Sequence, residues 1–220
     1  MARNIHPALS QSLAEALPGA CIEAQSLPLC PELTLYLLNA DFPQHELPPE
    51  LALKLMDEPL YWTFCWASGQ VLARWLLDNP ALVRAKRVLD FGCGSGVAGI
   101  AAAVAGARQV VACDLDTLAL EAARENALLN GVAIEMAPDF DAIEGEIDVV
   151  LVADVLYDRG NLRWLSVLLQ RASSVLLADS RLPDVEDPRY RLLGTAEAST
   201  LPDLDESPEF RHVRLYRADH

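Results

Sequence analysis

The residues able to do chemistry fall at four places along this chain. In Val88-Leu89-Asp90-Phe91-Gly92-Cys93-Gly94-Ser95-Gly96, a buried strand runs into a turn of three glycines and a helix starts at once. Such glycines admit positive φ and let a ligand reach the backbone with no Cβ in the way. The helix behind them aims free N–H groups and the positive end of its dipole at the strand tip. Purely structural turns use the same glycines, so this motif alone leaves both readings open. Asp114 follows Gly96 by eighteen residues and ends the next strand. An acid about 20 residues on, at a strand end, is placed to accept hydrogen bonds from both hydroxyls of an adenosine ribose. Capping the next helix falls better to Asp116. Ala153-Asp154-Val155-Leu156-Tyr157-Asp158 closes a later strand. Ligands of an open α/β sheet lie beyond the carboxyl ends of its strands, so Asp154 and Tyr157 approach the crevice of the glycine turn. The structural alternative is that Asp154 caps the helix that follows and Tyr157 fills a gap. Lastly, Tyr61-Trp62-Thr63-Phe64-Cys65-Trp66-Ala67-Ser68-Gly69-Gln70 leads into a helix over 71–77. Its aromatics suit a lid over a flat ligand or, given how much surface Trp buries, the core.

Asp90 bears on which adenosine compound is bound. A dinucleotide rests its pyrophosphate on the glycine turn, and a carboxylate two residues before Gly92, with no base nearby, would repel it. That carboxylate suits a cation instead, such as the ammonium or sulfonium of S-adenosylmethionine, and disfavours NAD or FAD.

A sheet must hold these residues. From Arg87 onward, short apolar runs alternate with helical ones, which marks βαβ units on a parallel sheet. Strands are expected at 87–91, 109–114, 132–136, 147–153 and 174–178, and helices at 97–105, 117–130 and 161–171. Asp116 starts the second of these helices and Asn130-Gly131 closes it. Two final strands, at 191–201 and 210–217, are joined by a short acidic turn and pair antiparallel. The expected fold is α/β: a Rossmann-like, doubly wound, seven-stranded sheet, mostly parallel, with a C-terminal antiparallel hairpin strand. Residues 1–85, repeatedly broken by proline, read as an N-terminal extension packed on a core of residues 86–220.

Of 220 residues, 17 are Lys or Arg and 32 are Asp or Glu, a net charge of −15. A hydrophobic content of 52% excludes a disordered chain. The balance argues against nucleic acid and anionic membranes as partners and fits a basic or amine-bearing one. Five cysteines without CxxC spacing read as free thiols, with no metal site. Residues 1–20 show no apolar signal segment, and no apolar run reaches the ~20 residues of a bilayer span. A cytoplasmic location is the expectation.

Together, Asp90-x-Gly-x-Gly-x-Gly96, Asp114 and Asp154-x-x-Tyr157 resemble the class I, seven-stranded S-adenosylmethionine-dependent methyltransferases. Within that class, YWTFCWASGQVLARWLLDNP at 61–80, VLDFGCGSG, DVLYD and the upstream LPLCPELTLYLL are similar to the electron-transfer-flavoprotein β-subunit lysine methyltransferases. The likeness covers about residues 27–180. It implies an active-site role for Asp154 and Tyr157 beside the methyl donor. It also implies a cofactor pocket of Trp66, Asp90, Gly92, Gly94, Gly96, Asp114 and Leu115. An adenine-edge acid should follow the third core strand, Asp139 first, with Asp141 close behind. The implied activity is N-methylation of lysine in a protein, with an electron-transfer-flavoprotein β-subunit as the kind of target. The residues also allow a small-molecule amine N-methyltransferase, or a non-catalytic module that binds cofactor or partner. The family usually has a clearer helix at 180–195, where this chain is short and proline-broken. The related ribosomal-protein L11 methyltransferases share the core and add a substrate domain. A carboxylate beside lysine favours the charged amine, so Asp154 reads as a positioner more than as a base.

Overall fold

Val88 and Leu89 point to opposite sides of one strand, yet both are fully buried. A strand covered on both faces reads as an unbroken apolar run, and such strands lie in the middle of a sheet. The computed structural model describes residues 5–43, 59–182 and 184–220. Its longer elements are, in chain order, α1 (Pro7–Ala16), β1 (Ile22–Ser26), β2 (Thr34–Leu38), α2 (Ala67–Asp78), β3 (Arg87–Phe91), α3 (Val97–Val104), β4 (Gln109–Cys113), α4 (Thr117–Leu129), β5 (Glu135–Ala137), β6 (Ile147–Ala153), α5 (Trp164–Arg171), β7 (Ala172–Asp179), β8 (Arg191–Glu197) and β9 (His212–Asp219).

Seven of the strands form one sheet in the order β5-β4-β3-β6-β7-β9-β8. Only β9 runs against its neighbours, wedged between β7 and β8, so the expected parallel sheet with a reversed C-terminal strand is found. From β3 the chain winds outward through β4 to β5, then returns to place β6 on the other side of β3. The carboxyl ends of β3 and β6 therefore open the crevice of the sheet.

α2, α3 and α4 cover the face that holds Val88, and α5 covers the face that holds Leu89. Beyond α5, the second face of β7 and β9 is covered by residues 184–190 without a helix. Val185 and Tyr190 pack with Leu177 and Tyr216 there. Tyr190 Oη donates to Leu165 O (2.7 Å), and Tyr216 Oη donates to Asp184 Oδ1 (3.0 Å). β1 and β2 form a separate hairpin against α4, and Leu9 and Leu13 of α1 pack with Trp62, Ala119 and Ala122.

Several boundaries move, each for a physical reason. The strand expected at 132–136 begins at Glu135, because Val132 N–H still closes α4 on Ala127 O (3.0 Å). The helix expected over 71–77 begins at Ala67, because its N-terminus finds a cap far along the chain. The helix expected over 161–171 opens as a 3₁₀ turn, Arg159–Arg163, and becomes α-helical at Trp164. All five cysteines are free thiols, four of them buried. Among the described residues, no helix is long and apolar enough to cross a membrane, and no cluster of His, Cys, Asp and Glu could hold a metal.

Candidate active site

Gly92, Gly94 and Gly96 all have positive φ, +68°, +50° and +81°, but they serve different ends. A Cβ on Gly92 would lie 2.7 Å from Val155 Cγ2, and one on Gly96 would lie 2.8 Å from Ala123 Cβ. Those two glycines let the turn press against the segment after β6 and against α4. A Cβ on Gly94 would meet nothing within 4 Å. Gly94 therefore faces open space at the strand tips, where a ligand could approach the backbone.

Asp114 holds this turn from the side. Its Oδ2 accepts Gly94 N–H and its Oδ1 accepts Asp116 N–H, both at 3.0 Å. Asp116 caps α4 by accepting Leu118 N–H (2.8 Å), the cap expected from the sequence. Burial raises the Asp114 carboxyl above the ordinary carboxylate range. Next to it, Leu115 is 90% exposed, a bare apolar surface beside a polar one. Asp114 N–H donates to Ala137 O (3.3 Å), which brings the end of β5 alongside. Two residues further, Asp139 lies exposed at the same edge, and its Oδ1 accepts Asp141 N–H (2.9 Å).

Asp90 turns the other way, under the glycine turn. Its Oδ2 accepts Gly99 N–H of α3 (2.8 Å), an approach possible because a Cβ on Gly99 would sit 2.9 Å from that oxygen. Desolvation pushes the Asp90 carboxyl up to about 7, and the charge of Asp114 adds to the rise.

Across the crevice, Asp154 adopts a left-handed backbone (φ +50°) at the end of β6. Its Oδ2 accepts Ser68 N–H (3.2 Å), while Oδ1 accepts Ser68 Oγ–H (2.6 Å), Ser180 N–H (3.2 Å) and Ser180 Oγ–H (2.9 Å). A capping role exists, but for α2 rather than for the helix that follows. The following 3₁₀ turn is capped by Asp158, which accepts Gly160 N–H (2.8 Å). One carboxylate thus ties β6, α2 and β7 together. Burial raises its pKa, and the serine donors pull it back down.

Tyr157 is 57% exposed, so it fills no internal gap. Its ring lies 5.7 Å from Tyr61, which lies 5.8 Å from Trp66, which lies 5.7 Å from Phe64. Trp66 Nε1 donates to Tyr61 O (3.1 Å) and fixes the indole. Trp62 faces the opposite way and is core. The aromatic run therefore divides between the interior, at Trp62, and a ring cluster with Tyr157, at Tyr61, Phe64 and Trp66. The Arg181 guanidinium stands over Trp66 (5.7 Å) and Phe210 (4.0 Å) and pairs with Glu206. Ser68, Ser180, Arg181 and Phe210 were not legible as site residues. Ser68 and Ser180 lie 86 and 26 residues from the carboxylate they hold, a separation that no local spacing encodes.

Comparison with known proteins bears on this geometry. Residues 74–171 match the family model of Ribosomal protein L11 methyltransferase (PrmA). The electron transfer flavoprotein beta subunit lysine methyltransferase of Xenopus laevis is 43% identical over 143 residues, 62% of this chain and 55% of that protein. The ribosomal protein L11 methylase of Lactobacillus delbrueckii subsp. bulgaricus superposes with a TM-score of 0.54 at 24% identity, over 69% of this chain and 78% of the other. The magnesium protoporphyrin IX methyltransferase of Synechocystis, crystallised with bound SAM, superposes with a TM-score of 0.52 at 22% identity, over 70% and 80%. The fold is one that these solved methyltransferases share. The chain spans about half the length of the curated relatives it matches. Within this fold, the Gly92–Val155 contact sets the Asp154–Tyr157 segment directly against the glycine turn.

Proposed function

We propose that this protein is an S-adenosylmethionine-dependent N-methyltransferase that acts on lysine side chains of a protein, an electron-transfer-flavoprotein β-subunit being the favoured kind of target. The reading is carried by one observation: a carboxylate held by two serines, three residues before an exposed tyrosine, is followed by Val155, which packs against Gly92 of the glycine turn. The residues present fit the cofactor, since Gly94 leaves the space over its backbone open and an exposed Leu115 adjoins Asp114.

When bound, S-adenosylmethionine supplies a methyl group on a sulfonium, which needs no further activation. In this reading Asp114 accepts the ribose hydroxyls, Leu115 lies against the adenine, and Asp139 accepts from its amine. Asp90, beneath the turn, offsets the ligand's positive charge. On the acceptor side, Asp154 Oδ1 is filled by three donors, while Oδ2 has one and keeps a lone pair free. That lone pair and the Tyr157 hydroxyl hold the incoming ammonium. Tyr61 and Trp66 wall the approach with ring faces that attract a cation and exclude water. Lysine must shed a proton from a pKa near ~10.4 before it attacks. Desolvation between the rings lowers that pKa and Asp154 opposes the change, so water takes the proton. Orienting the amine contributes much of the rate, about 7–11 kcal/mol for well-aligned groups.

The test is incubation of the protein with methyl-labelled donor, first with a cell lysate and then with purified flavoprotein β-subunit. A discrete labelled protein band, with the label on lysine by mass spectrometry, is expected. Label confined to small molecules would establish the small-molecule amine reading instead. Donor binding without any transfer would leave a non-catalytic module.

A further inference from the structure

α4 carries Asn126 in its last turns and is closed four residues later by Asn130 at its C-cap, on a helix otherwise rich in Ala and Leu. Asparagine is a poor former of helix interiors, so Asn126 calls for a reason. Asn130 serves the hairpin: its Oδ1 accepts Thr34 N–H (3.0 Å) and its Nδ2 donates to Thr34 O (2.7 Å). Asn126 has no exposed surface and reaches two ways. Its Oδ1 accepts Tyr36 N–H of β2 (2.7 Å), and its Nδ2 donates to Ser95 O (2.9 Å). Ser95 lies between Gly94 and Gly96, both in the left-handed region. Because one partner is a donor and the other an acceptor, the amide has a single orientation that satisfies both.

Resting on the reading that the glycine turn receives S-adenosylmethionine, we propose that Asn126 is a positioning residue for the cofactor. It holds the turn in its binding shape and makes the β1–β2 hairpin part of the cofactor site. Glycines give the turn more backbone freedom than other residues would, and that freedom is lost on binding. A hydrogen bond that fixes Ser95 O removes it beforehand, and preorganisation of this kind appears as affinity. The hairpin contributes because Tyr36 N–H holds the other end of the same amide.

Asn126→Asp tests this. The variant keeps its size and its acceptor for Tyr36 N–H, but it offers Ser95 O a second acceptor in place of a donor unless the new carboxyl is protonated. Binding of S-adenosylhomocysteine is measured by calorimetry on the full chain, with Asn130→Asp as the control that disturbs the Thr34 contacts and the Asn130 Nδ2–Asn126 O bond (2.7 Å) but leaves the Asn126 side-chain amide in place. At pH 8 the Kd of Asn126→Asp should exceed that of the wild type by about tenfold, the worth of one buried hydrogen bond. As the pH falls, protonation of the carboxyl restores a donor, so the ratio of the two Kd values should fall toward one. Asn130→Asp should bind like the wild type throughout. In the wild type, ligand should also slow hydrogen exchange at the Tyr36 amide more than at Thr34, a measurement that does not depend on any variant folding. Equal Kd values for all three proteins, or equal protection of Tyr36 and Thr34, overturn the proposal. Failure of the wild type to bind at all overturns the cofactor reading instead.

Discussion

Asp90 offers a direct reading of the charge that the crevice receives. It is 3% exposed, and burial lifts its carboxyl to about 7. At pH 7, about half of the unliganded molecules therefore carry a proton there. A unit positive charge about 4 Å away interacts by about 4 kcal/mol at an effective dielectric of 20, enough to lower a carboxyl by about 3 pK units. Binding of S-adenosylhomocysteine, whose ammonium is a cation, should then expel about 0.9 proton per site at pH 6, about 0.5 at pH 7 and about 0.1 at pH 8. Calorimetry in buffers of different ionisation heat measures that release. Asp90→Asn retains an acceptor for Gly99 N–H (2.8 Å) but has no proton to lose. The difference between the two proteins therefore isolates Asp90 from the titration of the ligand itself. Equal proton release by wild type and variant would refute the idea that Asp90 faces the positive end of the cofactor.

The same residue makes a stability prediction. Its folded pKa is raised, so its contribution is fully present below the unfolded value near ~4 and is lost as pH rises through about 7. Urea unfolding should accordingly show Asp90→Asn matching the wild type at pH 4 and exceeding it by up to about 4 kcal/mol at pH 8; a gap that does not change with pH would contradict this. Gly96→Ala, at φ +81° with a new Cβ 2.8 Å from Ala123 Cβ, should cost about 2–4 kcal/mol of stability. Gly94→Ala meets nothing within 4 Å and should cost only about 1–2 kcal/mol, yet it should weaken S-adenosylhomocysteine binding sharply, and normal affinity would remove the cradle from the argument. Asp154→Asn places an amide N–H against Ser68 N–H, so a loss of about 1–2 kcal/mol in urea unfolding is expected, together with a fall in turnover on protein lysine. Unchanged kcat and KM in that variant would take Asp154 out of the acceptor site. With a net charge of −15, methylation of a basic protein should slow as salt rises from about 0.01 to 0.1 M, where the screening length shrinks from about 30 to about 10 Å, while a free amine should respond little. A protein substrate indifferent to salt would rule out steering by that charge.

What the sequence determined by itself was whatever depends on neighbouring residues. The bounds of β3 and β6, the glycine turn, and the capping of α4 by Asp116 follow from burial periodicity, positive φ and capping, all of which act within a few residues. The reversed strand was legible too, since a short connection between two terminal strands leaves only antiparallel pairing. Its wedged position between β7 and β8 belongs to the sheet as a whole. Tertiary structure alone decided that Asp154 caps α2, 86 residues earlier, and that Asn126 joins β2 to the glycine turn, 90 and 31 residues earlier. It also decided that Trp62 turns to the core while Tyr61 and Trp66 turn to the crevice. The physical reason is one of range. Backbone geometry and periodicity are set by adjacent side chains, whereas a buried polar group takes whichever partner packing delivers to it, from any distance along the chain.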